Sequence, residues 1–151
     1  LAKLVLADMV AQGYGRVLFV SSVDAITPTP FEAVYGASKA FILSFSSSLH
    51  NELQGTGVSV TALMPGPTET NIFHRAHMEN TWVGSQGLHE NYASQVALQG
   101  YRALMAGRER VVAATLKTKL MAALARFVPE SVKAALHRKV SEPGTAERSL
   151  S

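Results

Sequence analysis

Arg16-Val-Leu-Phe-Val-Ser-Ser22 begins the stretch that decides the fold of this 151-residue chain. The run is apolar and rich in β-branched residues, as buried strands are. A second run of this kind, Val58-Ser-Val-Thr-Ala-Leu-Met64, follows a helical pattern over residues 35–53. Strand, helix and strand predict a βαβ unit, in which the strands are parallel and the crossover is right-handed. We therefore expect an α/β fold.

Polar or turn-forming residues stand where these predicted elements end. Ser22 closes the first strand, Pro65-Gly66 closes the second, and Tyr35 opens the helix between them. Open α/β sheets bind ligands at the carboxyl ends of their strands. The three segments are therefore expected to meet at one candidate site.

Tyr35-Gly-Ala-Ser-Lys39 places a phenol and an ammonium four residues apart. On a helix this spacing brings the two Cβ atoms to about 5–6 Å. We expect the ammonium to lower the pKa of the phenol, which would make the phenol a proton donor or acceptor near neutral pH. A single Tyr-x-x-x-Lys pattern also arises by chance, and a tyrosine near a helix start is often only half-buried. Its combination with Ser22 and Pro65-Gly66 favours carbonyl–alcohol chemistry.

Three motifs together resemble the short-chain dehydrogenase/reductase family. They are Phe19-Val-Ser-Ser22, Tyr35-Gly-Ala-Ser-Lys39 and Met64-Pro-Gly-Pro-Thr-Glu-Thr70, and their separations match those of the family. The resemblance extends from the first helix to about residue 112. It implies that the chain is the C-terminal part of a doubly wound, parallel-sheet Rossmann domain.

The resemblance also implies an activity, the interconversion of a carbonyl and a secondary alcohol by hydride transfer. Ser22 would hold the substrate oxygen, Tyr35 would be the acid/base, and Lys39 would bind the nicotinamide ribose. The cofactor would be NAD or NADP, with NADP slightly favoured. The further residues expected to contact it are Pro65, Gly66, Thr68 and Thr70.

Residues 67–92 correspond to the substrate lid of that family. Phe73, Met78 and Trp82 are expected either to line an apolar substrate pocket or to pack the lid against the sheet. Thr27-Pro-Thr-Pro30 either borders the substrate or is a rigid turn. His74-Arg-Ala-His77 is expected to be solvated rather than to bind a metal, since no third ligand is near.

Two features of the family are missing from this sequence: the Gly-rich nucleotide-binding turn and the catalytic asparagine. The chain also begins at Leu1, within a predicted helix. We therefore expect residues 1–151 to be a single incomplete Rossmann-type domain without its N-terminal nucleotide-binding half, inactive alone. Its predicted parts are the catalytic motifs (16–72), the lid (67–92) and basic C-terminal helices (113–139). A catalytically silent fragment or scaffold is the alternative.

Positive charge concentrates late in the chain. Residues 101–140 carry nine basic and two acidic residues, a net charge of +7. An apolar stripe within this region is expected to pack on its own domain or on a second subunit; a peripheral membrane module and a protein partner are the alternatives. The stripe comprises Leu116, Leu120, Met121, Leu124, Phe127 and Val128, and a second helix is predicted over residues 129–139.

Composition narrows the remaining possibilities. The chain has no cysteine, which fits a reducing compartment and excludes disulfides and thiolate metal sites. No apolar run is long enough to span a bilayer, and no aromatic–basic platform indicates nucleic acid. We expect a cytoplasmic protein, with peripheral membrane contact left open, that acts on a small carbonyl or alcohol substrate and forms a homo-oligomer in its full-length form.

Overall fold

The computed structural model describes residues 2–68, 72–82, 92–115, 120, 123–124, 127–145, without the side chains of 72 and 73. Helices lie on both faces of a three-stranded sheet. In chain order the elements are α1 (Ala2–Gln12), β1 (Gly15–Val20), a 3-10 turn (Val23–Ile26), α2 (Ala33–Glu52), β2 (Val58–Pro65), α3 (Ile72–Arg75), α4 (Ala93–Met105), β3 (Arg110–Ala113) and α5 (Glu130–Ser141). The predicted α/β class is confirmed.

The sheet is parallel, with β2 between β1 and β3. Val17 is in register with Val60 and Leu63 with Val111, so the βαβ unit predicted around α2 is present. The backbone of Ser21 continues the pairing beyond β1, because its N–H donates to the Leu63 carbonyl at 2.7 Å. The carboxyl ends of β1 and β2 therefore lie side by side.

Side chains of the central strand alternate between the two faces of the sheet. Ala62 and Met64 pack with Leu43 of α2, whereas Leu63 packs with Val96 of α4. Burial on both faces explains why β2 is almost continuously apolar. Helix α2, which carries the Tyr-x-x-x-Lys motif, is thereby fixed against the sheet.

The turn into β2 requires glycine at residue 57. Gly57 has a φ of +79°, and a Cβ on it would overlap the carbonyl of Gly13. Only glycine combines a positive φ with so close an approach of two backbones. This close approach lies where β1 and β2 begin, at the end of the sheet opposite the candidate site.

The C-terminal region differs in part from expectation. Helix α5 is present close to its predicted bounds. The preceding stripe does not pack on its own domain at Leu120, Leu124 and Phe127, which are 60%, 55% and 80% exposed. Val128 is partly buried, and packing of the stripe on a second subunit stays a prediction. Leu116 and Met121 lie outside the described residues. No described helix is long and apolar enough to cross a membrane.

Candidate active site

Ser22 lies just beyond β1 and is only 4% exposed. It is the N-cap of the 3-10 turn, and its Oγ accepts a hydrogen bond from the Asp24 N–H at 3.1 Å. The same hydroxyl donates to the Asp24 Oδ2 at 3.0 Å. These two bonds fix the Ser22 side chain at the carboxyl edge of the sheet.

Tyr35 lies in the first turn of α2, and its phenol is half-buried beside Ser22. Burial raises the pKa of Tyr35 above its usual value, and the nearby carboxyl groups of Asp24 and Glu32 raise it further. A hydrogen bond with Ser22 acts in the opposite direction and lowers this pKa, but burial outweighs it. The phenol is therefore protonated at neutral pH.

This direction corrects the expectation that Lys39 would lower the pKa of Tyr35. The Lys39 Nζ lies over the tyrosine ring, 5.6 Å from its centroid. Its ammonium donates a hydrogen bond to the Val20 carbonyl at 3.2 Å. The Lys39 carbonyl in turn accepts from Ser21 Oγ at 2.8 Å, so the residue is tied to the end of β1 at both its backbone and its side chain.

A cavity of about 870 Å³ opens at this edge of the sheet. Its walls include eight of the residues singled out from the sequence: Ser22, Tyr35, Lys39, Pro65, Gly66, Thr68, Met78 and Trp82. The Thr68 hydroxyl donates to the Gly66 carbonyl at 2.7 Å, which shapes the turn after β2. Thr70 and the Phe73 side chain lie outside the described parts of the chain.

Of two other predicted segments, Thr27-Pro-Thr-Pro30 lies away from this cavity, whereas His77 of the His74-Arg-Ala-His77 segment is among the residues that line it. Thr27-Pro-Thr-Pro30 lines a separate shallow pocket against α2, which favours the rigid-turn interpretation. His74 is solvent-exposed and pairs with Glu79 at 3.1 Å. Among the described residues no group of three or more histidine, cysteine or acidic side chains could hold a metal ion.

The sequence did not point to a polar cluster that joins α5 to the approach of α2. His137 Nε2 lies 2.9 Å from Glu32 Oε2, and the Ser141 hydroxyl donates to the same oxygen at 2.9 Å. These contacts lower the pKa of Glu32, chiefly through the hydrogen bond with His137. In a Ser-His-acid triad the serine hydroxyl and the carboxylate contact different nitrogens of the imidazole. Here the Ser141 hydroxyl and the Glu32 carboxylate both contact Nε2 of His137, and the hydroxyl donates to the carboxylate, so the cluster is not such a triad.

The C-terminal segment also contacts the lid region. The Gly144 N–H donates to the Asn80 carbonyl at 3.0 Å, and the Trp82 N–H donates to Thr145 Oγ1 at 2.9 Å. His137, Val140 and Ser141 complete the wall of the cavity. Helix α5 thus forms part of the wall of the cavity that Lys39 also lines.

Comparison with known proteins gives a consistent picture. A family model described as short chain dehydrogenase matches residues 1–81. An uncharacterized short-chain type dehydrogenase/reductase of Sinorhizobium fredii is 40% identical over 76 residues, which are 50% of this chain and 31% of that protein. A probable NADP-dependent dehydrogenase of Haemophilus influenzae is 39% identical over 66 residues, 44% of this chain and 26% of that protein.

Solved structures share the fold. A 7β-hydroxysteroid dehydrogenase superposes with a TM-score of 0.72 at 23% identity, over 89% of this chain and 52% of that one. A short-chain dehydrogenase from Sphingobium yanoikuyae in complex with NADPH gives a TM-score of 0.70 at 24% identity, over 83% and 48%. The chain therefore spans about half the length of these structures and less than a third of the curated relatives.

Proposed function

Because this chain belongs to the short-chain dehydrogenase family, we propose that it carries the catalytic centre of an oxidoreductase that interconverts a carbonyl and a secondary alcohol. The observation that carries the proposal is the grouping of Ser22, Tyr35 and Lys39 around one cavity at the carboxyl ends of β1 and β2. The chain covers only part of its relatives, so the activity is proposed for the complete natural protein.

Tyr35 is the proposed proton donor in carbonyl reduction. Its raised pKa keeps the phenol protonated at neutral pH, so a proton is available when the substrate oxygen gains negative charge. Ser22 stands beside the phenol and would hydrogen-bond the same oxygen. Two donors aimed at one developing oxyanion stabilise the transition state more than the neutral carbonyl.

Lys39 is the proposed anchor of a nicotinamide ribose. An ammonium has three N–H donors, so Lys39 can bind sugar hydroxyls while it keeps its bond to the Val20 carbonyl. Pro65, Gly66 and Thr68 line the same cavity at the end of β2 and are proposed further contacts; Thr70 is a sequence-based candidate. The donor set therefore suits a cofactor rich in hydroxyl and amide groups. When bound, NAD or NADP supplies the hydride.

NADP is slightly favoured over NAD. The Haemophilus influenzae relative is named NADP-dependent, and the Sphingobium yanoikuyae structure is a complex with NADPH. On the substrate side, Met78 and Trp82 supply apolar wall area, with Phe73 proposed from the sequence. We infer a small carbonyl or alcohol substrate with an apolar body.

The exposed part of the basic segment supports a second candidate role, contact with another surface. Leu124 and Phe127 are 55% and 80% exposed on this chain. A second copy of the protein in a homo-oligomer would cover them, as would an anionic membrane surface. We favour the homo-oligomer, because the residues are of ordinary core type and lack an interfacial tryptophan.

The test of the enzymatic proposal is turnover by the complete natural protein. NADPH or NADH is mixed with aliphatic, aromatic and cyclic ketones in turn, and loss of the reduced-nicotinamide absorbance is followed. Tyr35→Phe keeps the ring and removes the transferable proton, so the rate should fall roughly 10²–10⁴-fold. Tyr101→Phe is the matched control, since Tyr101 on α4 is 58% exposed and outside the cavity. Near-normal reduction by Tyr35→Phe would exclude the proposed role.

A further inference from the structure

The hydroxyl proton of Ser22 is committed to a neighbouring carboxyl. Ser22 Oγ donates to Asp24 Oδ2 at 3.0 Å and accepts from the Asp24 N–H at 3.1 Å. A serine hydroxyl has only one proton. While that proton is directed to Asp24, Ser22 can accept a hydrogen bond but cannot donate one to a substrate oxygen.

We propose that Asp24 is a positioning residue whose ionisation state decides whether Ser22 donates its proton to the substrate. The proposal deepens the proposed function and rests on it. An ionised Asp24 carboxylate holds the Ser22 proton in the bond seen here. A protonated Asp24 can instead donate its own proton to Ser22 Oγ, which reverses the bond and releases the Ser22 proton toward the carbonyl oxygen. No bond other than these hydrogen bonds changes, and Asp24 exchanges its proton with solvent.

The surroundings of Asp24 favour its protonated state more than water does. Glu32 and Tyr35 face it from the start of α2, and His137 and Lys133 lie on α5, which packs against the 3-10 turn. Burial raises the pKa of Asp24 above the usual carboxyl value, and the charge of Glu32 adds to this rise. Hydrogen bonding with Ser22 and the charge of His137 act in the opposite direction. Protonation is therefore shifted toward the neutral range, with burial as its main cause.

The consequence is a decline in the rate of carbonyl reduction with rising pH that reports the ionisation of Asp24 and not that of Tyr35. As pH rises through the pKa of Asp24, the carboxylate captures the Ser22 proton and carbonyl reduction slows. Loss of one oxyanion donor lowers kcat by roughly 10²–10³-fold. This factor is the largest decline that ionisation of Asp24 can cause. A second decline, at higher pH, comes from ionisation of Tyr35.

The experiment compares pH profiles of kcat/KM for ketone reduction by the complete natural protein and by Asp24→Ala. The Asp24→Ala variant has no carboxylate, so its kcat/KM should not decline at the pKa of Asp24. Above that pH, its kcat/KM should be at least several-fold higher than that of wild type. Asp8→Ala, which removes an exposed carboxylate on α1, should retain both declines. In a Ser22→Ala background the decline at lower pH should be absent whether or not Asp24 is replaced, because no serine proton remains for the carboxylate to hold.

A readout independent of turnover is the titration of the Tyr35 phenol by ultraviolet difference absorbance against Tyr35→Phe. Since the charge of Asp24 raises the pKa of Tyr35, Asp24→Ala should lower the pKa of Tyr35. ¹³C-NMR of the labelled Asp24 carboxyl should show a pKa above the ordinary value of 3.8. An unchanged decline at lower pH in Asp24→Ala, or an Asp24 pKa no higher than the ordinary value of 3.8, overturns the inference. If Tyr35→Phe is also active, the proposed function fails; if Tyr35→Phe is inactive, only the role of Asp24 fails.

Discussion

His137 Nε2 and Glu32 Oε2 lie 2.9 Å apart, although 105 positions separate the two residues in the sequence. Glu32 is the N-cap residue of α2, yet its side chain does not cap that helix. Its carboxylate instead accepts from Ser141 and contacts His137 on α5. One carboxyl group therefore joins the C-terminal helix to the segment that carries Tyr35.

The first prediction concerns the pH dependence of stability. The pKa of Glu32 is lowered in the folded chain, so its contacts stabilise the fold above its unfolded value of about 4.5. This contribution should be lost as pH falls below about 4.5 and through the folded pKa. Hydrogen bonds to a charged group are worth about 1.5–3 kcal/mol, so Glu32→Gln should reduce the free energy of unfolding by about that amount at neutral pH.

Denaturant unfolding at a series of pH values measures this effect. The difference between wild type and Glu32→Gln should shrink as the solution is acidified. Glu52→Gln, at the exposed end of α2, is the control and should differ little from wild type at any pH. A constant difference at all pH values would show that the ionised carboxylate is not the stabilising form.

A second prediction concerns the ionisation of Tyr35 in the cofactor-free protein. Burial raises its pKa above the ordinary value of about 10. Ultraviolet difference titration of wild type against Tyr35→Phe should therefore show this phenol ionising above pH 10.0, the ordinary value for a tyrosine. Ionisation of Tyr35 near neutral pH without cofactor would contradict the structure.

Some parts of the site could be predicted from the sequence and others could not. Ser22, Tyr35 and Lys39 could be brought together from the sequence because they lie within one βαβ unit, whose periodicity is local. The Glu32–His137 contact could not, because it depends on where α5 docks, and no short-range pattern encodes that. The predicted direction of the Tyr35 pKa was wrong for a similar reason: helical spacing places Lys39 near the ring but does not reveal that burial of the phenol raises its pKa.

The third prediction isolates Lys39. Lys39→Met keeps an unbranched side chain but removes the ammonium and its bond to Val20. If the ammonium binds the cofactor ribose, KM for NADPH should rise by at least tenfold in the complete natural protein. Lys3→Met, on the exposed side of α1, is the control and should leave KM unchanged. An unaltered cofactor KM in Lys39→Met would remove Lys39 from the proposed binding set.

A fourth prediction concerns nucleotide affinity of residues 1–151 alone. The sequence contains no Gly-rich turn at which helix N–H groups would bind a pyrophosphate. Isothermal calorimetry should therefore detect weak NADPH binding or none. Micromolar affinity would show that the residues at the ends of β1 and β2 suffice to hold the cofactor.

The last prediction separates the two surfaces that could cover the basic segment. Leu124 and Phe127 are exposed on this chain within a region of net charge +7. If a second subunit covers them, Leu124→Gln with Phe127→Gln should shift the complete protein toward smaller species in sedimentation velocity, with no binding to anionic vesicles before or after the change.

If a membrane covers them, the unaltered protein should cosediment with phosphatidylserine vesicles and dissociate as salt rises, because the Debye length falls to about 3 Å at 1 M. We expect the first result, since the exposed side chains are Leu and Phe of the kind that form subunit contacts and no described tryptophan accompanies them in this segment. Salt-sensitive cosedimentation of the well-folded protein would show that the membrane is the partner of this surface.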